Sequence, residues 1–171
     1  MDHELLARLA RTPGTLAHLV AECPEERFQG EAPGEWSPQT ILAHLRDDEY
    51  LCMRVALERM LAEEAPALRF LDGGDWAPRR NRTRDRKDHL LADFALQRQA
   101  TIAILRLLRP EDWQRTGTRD GAALTIEDLV REWVAHDADH VAQLERAVGE
   151  TLGEVLQRRA RTVDEHRRSV H

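Results

Sequence analysis

Apolar residues recur every three or four positions along four long stretches of this 171-residue chain. That is the period of a helix with one buried face. In the first stretch, from about Asp2 to Glu22, the buried face reads Leu5, Leu6, Leu9, Leu16, Leu19 and Val20. The Thr12-Pro13-Gly14 sequence inside it predicts a kink or a break, because proline removes a backbone donor. A Pro- and Gly-rich loop follows.

The second helix opens at "WSPQTI". Ser37 is an N-cap, Pro38 fits the first helical position, and Trp36 and Ile41 stand where a hydrophobic staple would pair them. It runs to about Glu64, with Ile41, Leu45, Leu51, Cys52 and Val55 on its apolar side. The third runs from about Asp85 to Leu108 through Leu90, Leu91, Phe94, Leu96, Ile102 and Leu105, and stops at Arg109-Pro110. The fourth is capped by Thr125, with Asp128 in the capping-box position and Leu124 and Leu129 as a second staple. It ends at Val148, before Gly149. No strand alternation and no fixed-period repeat is legible. The pattern predicts one all-α domain over 1–149. An extension over 150–171 holds a short helix (Thr151 to Arg161) or a disordered tail. The connections 65–84 and 109–124 are too long for tight hairpins.

Composition supports the helical reading, since Leu, Ala, Arg and Glu dominate and aromatics make up only 5%. The formal net charge is −6, which argues against a nucleic-acid partner. All basic residues except Lys87 are arginine, a compositional bias without functional content. Cys23 and Cys52 have no paired spacing, so neither a disulfide framework nor a thiolate metal site is expected. The charged N-terminus has no apolar signal region, and no apolar run approaches the roughly 20 residues of a membrane span. These features predict a cytoplasmic protein without a membrane partner.

The fourth helix carries an anomaly. Its apolar stripe reads Ile126, Leu129, Trp133, His136, His140, Leu144, so two histidines occupy core positions four residues apart. Side chains at that spacing can converge on one cation. Two core histidines, each hydrogen-bonded to a neighbouring helix, would fit the same pattern. His44 lies on the buried side of the second helix, three residues after Ile41. Three imidazoles with one open position form the ligand set of a catalytic zinc site, and nickel or iron also accepts imidazole. His3, His166 and His171 lie near the termini, and His18 and His89 fall at surface or boundary positions.

"GEWSPQTILAHLRDDE", followed much later by "LTIEDLVREWVAHDADHVAQLE", resembles the DinB/YfiT-like superfamily. The resemblance covers the first helix to about Val148. One histidine early in the second helix and an HxxxH pair in the fourth are that family's hallmark, matched by His44, His136 and His140. The resemblance implies a four-helix bundle of the DinB/YfiT type with long crossover connections. It also implies a divalent metal, zinc or nickel, and in some members transfer chemistry with a low-molecular-weight thiol such as mycothiol, bacillithiol or glutathione. The family includes dimers, so a homodimer is expected.

These features point to a metal-dependent thiol S-transferase acting on small electrophiles in stress or detoxification. The metal lowers the thiol pKa, so no protein nucleophile is needed. Asp47, Asp48 and Gln143 are candidates for orienting the ligands, and Glu49 for acid/base catalysis. Cys52 and the four tryptophans read as packing residues, with Trp76 placed to cover the site mouth. Arg79, Arg80, Arg82 and Arg84 are candidates for holding an anionic cofactor, although a solvated loop explains them as well. Metal-assisted hydrolysis and a non-catalytic binding protein with a structural metal are the alternatives. A fourth side-chain ligand would favour the structural metal.

Overall fold

The computed structural model describes residues 3–70 and 85–169, with side chains as far as residue 163. Trp76, Arg79, Arg80, Arg82 and Arg84 lie outside the described residues, as does His171. The helices are α1 (His3–Val20), α2 (Glu25–Gln29), α3 (Pro38–Asp48), α4 (Val55–Ala62), α5 (Lys87–Leu107), α6 (Ile126–Val148) and α7 (Leu152–Ser169). A π-helical segment, Glu49–Arg54, joins α3 to α4. The architecture is an all-α four-helix bundle. α1 packs on α5 and α6, and α3 packs on the same two helices. The sequence-consecutive pairs α1/α3 and α5/α6 therefore face each other across the diagonals, which requires crossover connections. No described helix is long and apolar enough to cross a membrane.

Local chemistry accounts for the helix ends. The Ser37 hydroxyl accepts from the Thr40 amide at 3.1 Å, and Thr125 with Asp128 closes a full capping box. Gly149 ends α6 at φ 72°, a left-handed conformation that glycine adopts without strain.

Three expectations need correction. First, the connection before α6 contains an antiparallel hairpin, β1 (Thr116–Arg119) with β2 (Ala122–Thr125). Asp120 and Gly121 form its two-residue turn, both at positive φ (51° and 81°). The Asp-Gly pair was a legible signal, but four-residue strands are too short for alternation to be read. Second, Leu51 (46% exposed), Val55 (42%) and Leu96 (67%) do not face the core. The wide π turn advances the helical phase, so Met53, Ala56, Leu57 and Met60 turn inward instead. Third, α1 runs unbroken through Pro13.

The reason for the unbroken helix lies at the waist of the bundle. Pro13 has no N–H to offer the Leu9 carbonyl four residues earlier. Arg98 donates to that carbonyl instead, at 3.0 Å. Arg98 lies on the core face of α5, four positions from both Phe94 and Ile102, and it is 1% exposed. Its Nε donates to Glu49 at 2.9 Å, and its two terminal nitrogens donate to the Asp137 carboxylate at 2.5 and 3.0 Å. Thr12 adds a 2.6 Å hydrogen bond to Asp137, and Thr101 one to Glu49. This polar layer separates two apolar clusters, one around Leu9, Leu57 and Trp133 and the other around Leu16, Ile41 and Phe94.

Burial works against the Arg98 charge, but Asp137 and Glu49 outweigh it and hold the guanidinium pKa above its ordinary value. Burial raises the Glu49 pKa, and Arg98 and Thr101 offset this only in part. Removing one partner from such a layer leaves buried charge uncompensated. Arg98→Met is therefore expected to lower the unfolding free energy by about 3–5 kcal/mol, read from urea denaturation. A loss below about 1 kcal/mol, within the range of exposed ion pairs, would show that the layer does not depend on the guanidinium.

Candidate metal centre

Beside the polar layer, α3 and α6 bring three histidines together. The Ser37 cap sets the phase of α3, which turns His44 into the bundle with Ile41 and Leu45 (His44 is 5% exposed). His136 and His140 reach across from α6. One ligand atom from each of the three lies within 4.8 Å of the other two. Nε2 of His44 and Nε2 of His136 are 3.1 Å apart. Two imidazoles bound to one tetrahedral zinc at its usual bond length would hold their nitrogens about 3.3 Å apart. The separation also suits an N–H···N hydrogen bond between the rings.

The surrounding groups fit a metal. Nδ1 of His140 stands 2.8 Å from the amide oxygen of Gln143. A proton held there leaves the lone pair on Nε2, the form that ligates. Burial lowers the His140 pKa, the neighbouring His136 adds to this, and Gln143 opposes it. The imidazole is thus kept neutral near pH 7. Asp48, one helical turn after His44, places Oδ2 3.5 Å from His136 Nε2 and is 6% exposed. The Trp36 ring stacks on His140 at 6.0 Å with an interplanar angle of 7°, and meets His44 edge-on at 5.2 Å.

The structure does not bring every candidate to this centre. Both Glu49 oxygens are engaged by Arg98 and Thr101 in the waist layer, which removes the geometric basis for an acid/base role at the histidines. Asp47 receives a 2.7 Å hydrogen bond from Arg46 at the edge of the helix. Cys52 is 1% exposed in the packed interior. His18 contacts Arg159, and His89 is exposed. Sequence reasoning assigned Trp36 only to packing, although its place directly before the α3 cap put it near His44. It also passed over Arg98 and Asp137. For Arg98 the signal was the one that flagged the histidines, a charged residue four positions from Phe94 and four from Ile102 on a buried stripe.

The model of the DinB superfamily matches residues 8–144 of this chain. Among solved structures, YfiT from Bacillus subtilis aligns with a TM-score of 0.77 at 21% identity, covering 86% of this chain and 87% of that one. YfiT is described as a probable metal-dependent hydrolase with an unusual four-helix bundle topology. At that identity the likeness establishes the fold. No curated protein matches the chain.

Purified protein is expected to carry about one divalent ion per chain, with His136→Ala removing most of it. Gln143→Ala should weaken metal affinity about 10–100-fold by freeing the His140 ring. Metal content after dialysis, with titration of the stripped protein, checks both. A variant lacking His44, His136 and His140 that still held a full complement would eliminate the site.

Proposed function

The chain belongs to the DinB superfamily, and from that membership and its histidine geometry we propose that it is a metal-dependent enzyme that transfers a low-molecular-weight thiol to small electrophiles. The observation that carries this reading is the convergence of His44, His136 and His140 with the buried Asp48 carboxylate beside them. Three imidazoles suit zinc or nickel and leave a position open. An ion held there would supply positive charge that lowers the pKa of a thiol or water.

The chain's own residues do the rest. Gln143 fixes the His140 tautomer. Asp48 is near enough to accept the thiol proton, while the new sulfur–carbon bond forms and the displaced electron pair goes to the departing halide, to the opened epoxide oxygen or, through the conjugated π system, to the quinone oxygen. Trp36 walls one side and limits water. A thiol supplied by a cofactor makes a protein nucleophile unnecessary, which is consistent with the burial of Cys52. Epoxides, activated halides and quinones are the substrate classes that such a thiolate attacks. We place this activity in stress or detoxification, in a cytoplasmic protein that pairs as a homodimer.

Hydrolysis is the second reading. It is favoured by Asp48, which could take a proton from water as readily as from a thiol, and by the description of YfiT. Metal-loaded protein incubated with small thiols and electrophiles, and separately with an ester and an amide, distinguishes the two. Conjugate formation is expected, and hydrolysis without any conjugate would replace the transferase reading. In either reaction Asp48→Asn should lower kcat by about 10²–10⁴-fold, the span of general acid–base contributions, with metal content retained. Turnover by Asp48→Asn equal to wild type would discard this role.

A further inference from the structure

Trp36, whose ring stacks on His140, also lines a cleft of about 500 Å³. Small-molecule sites fall in this range. Arg27 from α2 and Arg146 from α6 line it, with Glu31, Glu35, Trp36 and Ala147. Most described arginines have a carboxylate or carbonyl partner, including Arg46, Arg59, Arg98, Arg115 and Arg119. The guanidinium groups of Arg27 and Arg146 have no hydrogen bond or ion pair among the described residues.

The Arg27 guanidinium lies over the backbone at Gly149. It crosses Gly149 so closely that a Cβ at residue 149 would lie 2.7 Å from Nη2. Two arginines from separate elements thus meet at one ligand-sized cleft with their donors unspent. Trp36 is common to both, lining the cleft and stacking on His140. Ala147 lies two helical turns after His140, so the cleft is reached about 10 Å along α6 from the centre.

The geometry points to a carboxylate subsite: Arg27 and Arg146 bind a carboxylate of the reacting thiol, whose chain runs past Trp36 to place sulfur at the histidines about 10 Å away. This rests on the transferase reading and narrows it. Among low-molecular-weight thiols it selects an extended, carboxylate-bearing one over an uncharged one. Glu31 and Glu35 on the same cleft suit an ammonium group of such a ligand.

The test compares glutathione with its diethyl ester, which differ in carboxylate charge and keep the same thiol, by calorimetric titration of metal-loaded protein. Glutathione is expected to bind at least about tenfold more tightly, a difference of about 1.4 kcal/mol. In the double variant Arg27→Gln/Arg146→Gln the two should bind alike. Both arginines are exposed, and circular dichroism confirms that the variant is folded. Equal binding of the two forms by wild type, absence of binding by either, or a glutathione preference that survives in the double variant would overturn the subsite. Because binding is read rather than turnover, glutathione binding with no conjugate formed leaves the subsite standing and removes the transferase reading.

Discussion

One buried guanidinium fixes the middle of this bundle. Arg98 reaches α1 through the Leu9 carbonyl, the π segment through Glu49, and α6 through Asp137. The four elements of the waist cannot slide past one another without breaking charge-assisted hydrogen bonds in a medium where they are strong. A hydrophobic core alone would leave that register weakly specified, since leucines interchange with little cost. The layer also makes Pro13 tolerable, because the carbonyl that proline orphans becomes an acceptor for Arg98. A residue that should break α1 is thereby built into the contact that holds α1 in place.

This anchor sits one residue away from the candidate metal centre on two helices. Glu49 follows Asp48, and Asp137 follows His136. On α6, adjacent positions point about 100° apart, so Asp137 turns to Arg98 while His136 turns to His44. On the other helix, the π segment begins at Glu49 itself. The widened turn lets Asp48 face the histidines and Glu49 face the layer. The same change of phase exposes Leu51 and Val55, an irregularity found where α-helices serve a site.

The three-histidine cluster and the ionic layer are buried by opposite means. The layer keeps its charges and pairs them. His140 is held neutral, by burial and by the neighbouring His136, with Gln143 beside its Nδ1. A neutral, oriented imidazole can take a cation without first displacing a proton from a charged ring. Trp36 packs against His44 and His140 and also lines the cleft that holds Arg27 and Arg146.

Helical periodicity is a local property, repeated every three or four residues. The sequence alone therefore determined the helices, their Ser37, Thr125 and Gly149 caps, the all-α class and the place of three histidines on buried stripes. The order of those histidines along the chain carried the family. What only the tertiary structure decided were relations between distant residues. The phase of the second helix changes at the π turn, so a stripe extrapolated from Ile41 and Leu45 misplaced Leu51 and Val55. Arg98 replaced Leu96 on the core face because Glu49 and Asp137 wait for it on other helices. For the same reason Glu49 joins Arg98 and Thr101, while Asp48 stands beside His136. Periodicity tells which side of a helix is buried. Which buried polar groups become partners depends on how the helices are docked, and that is settled only when the whole bundle closes.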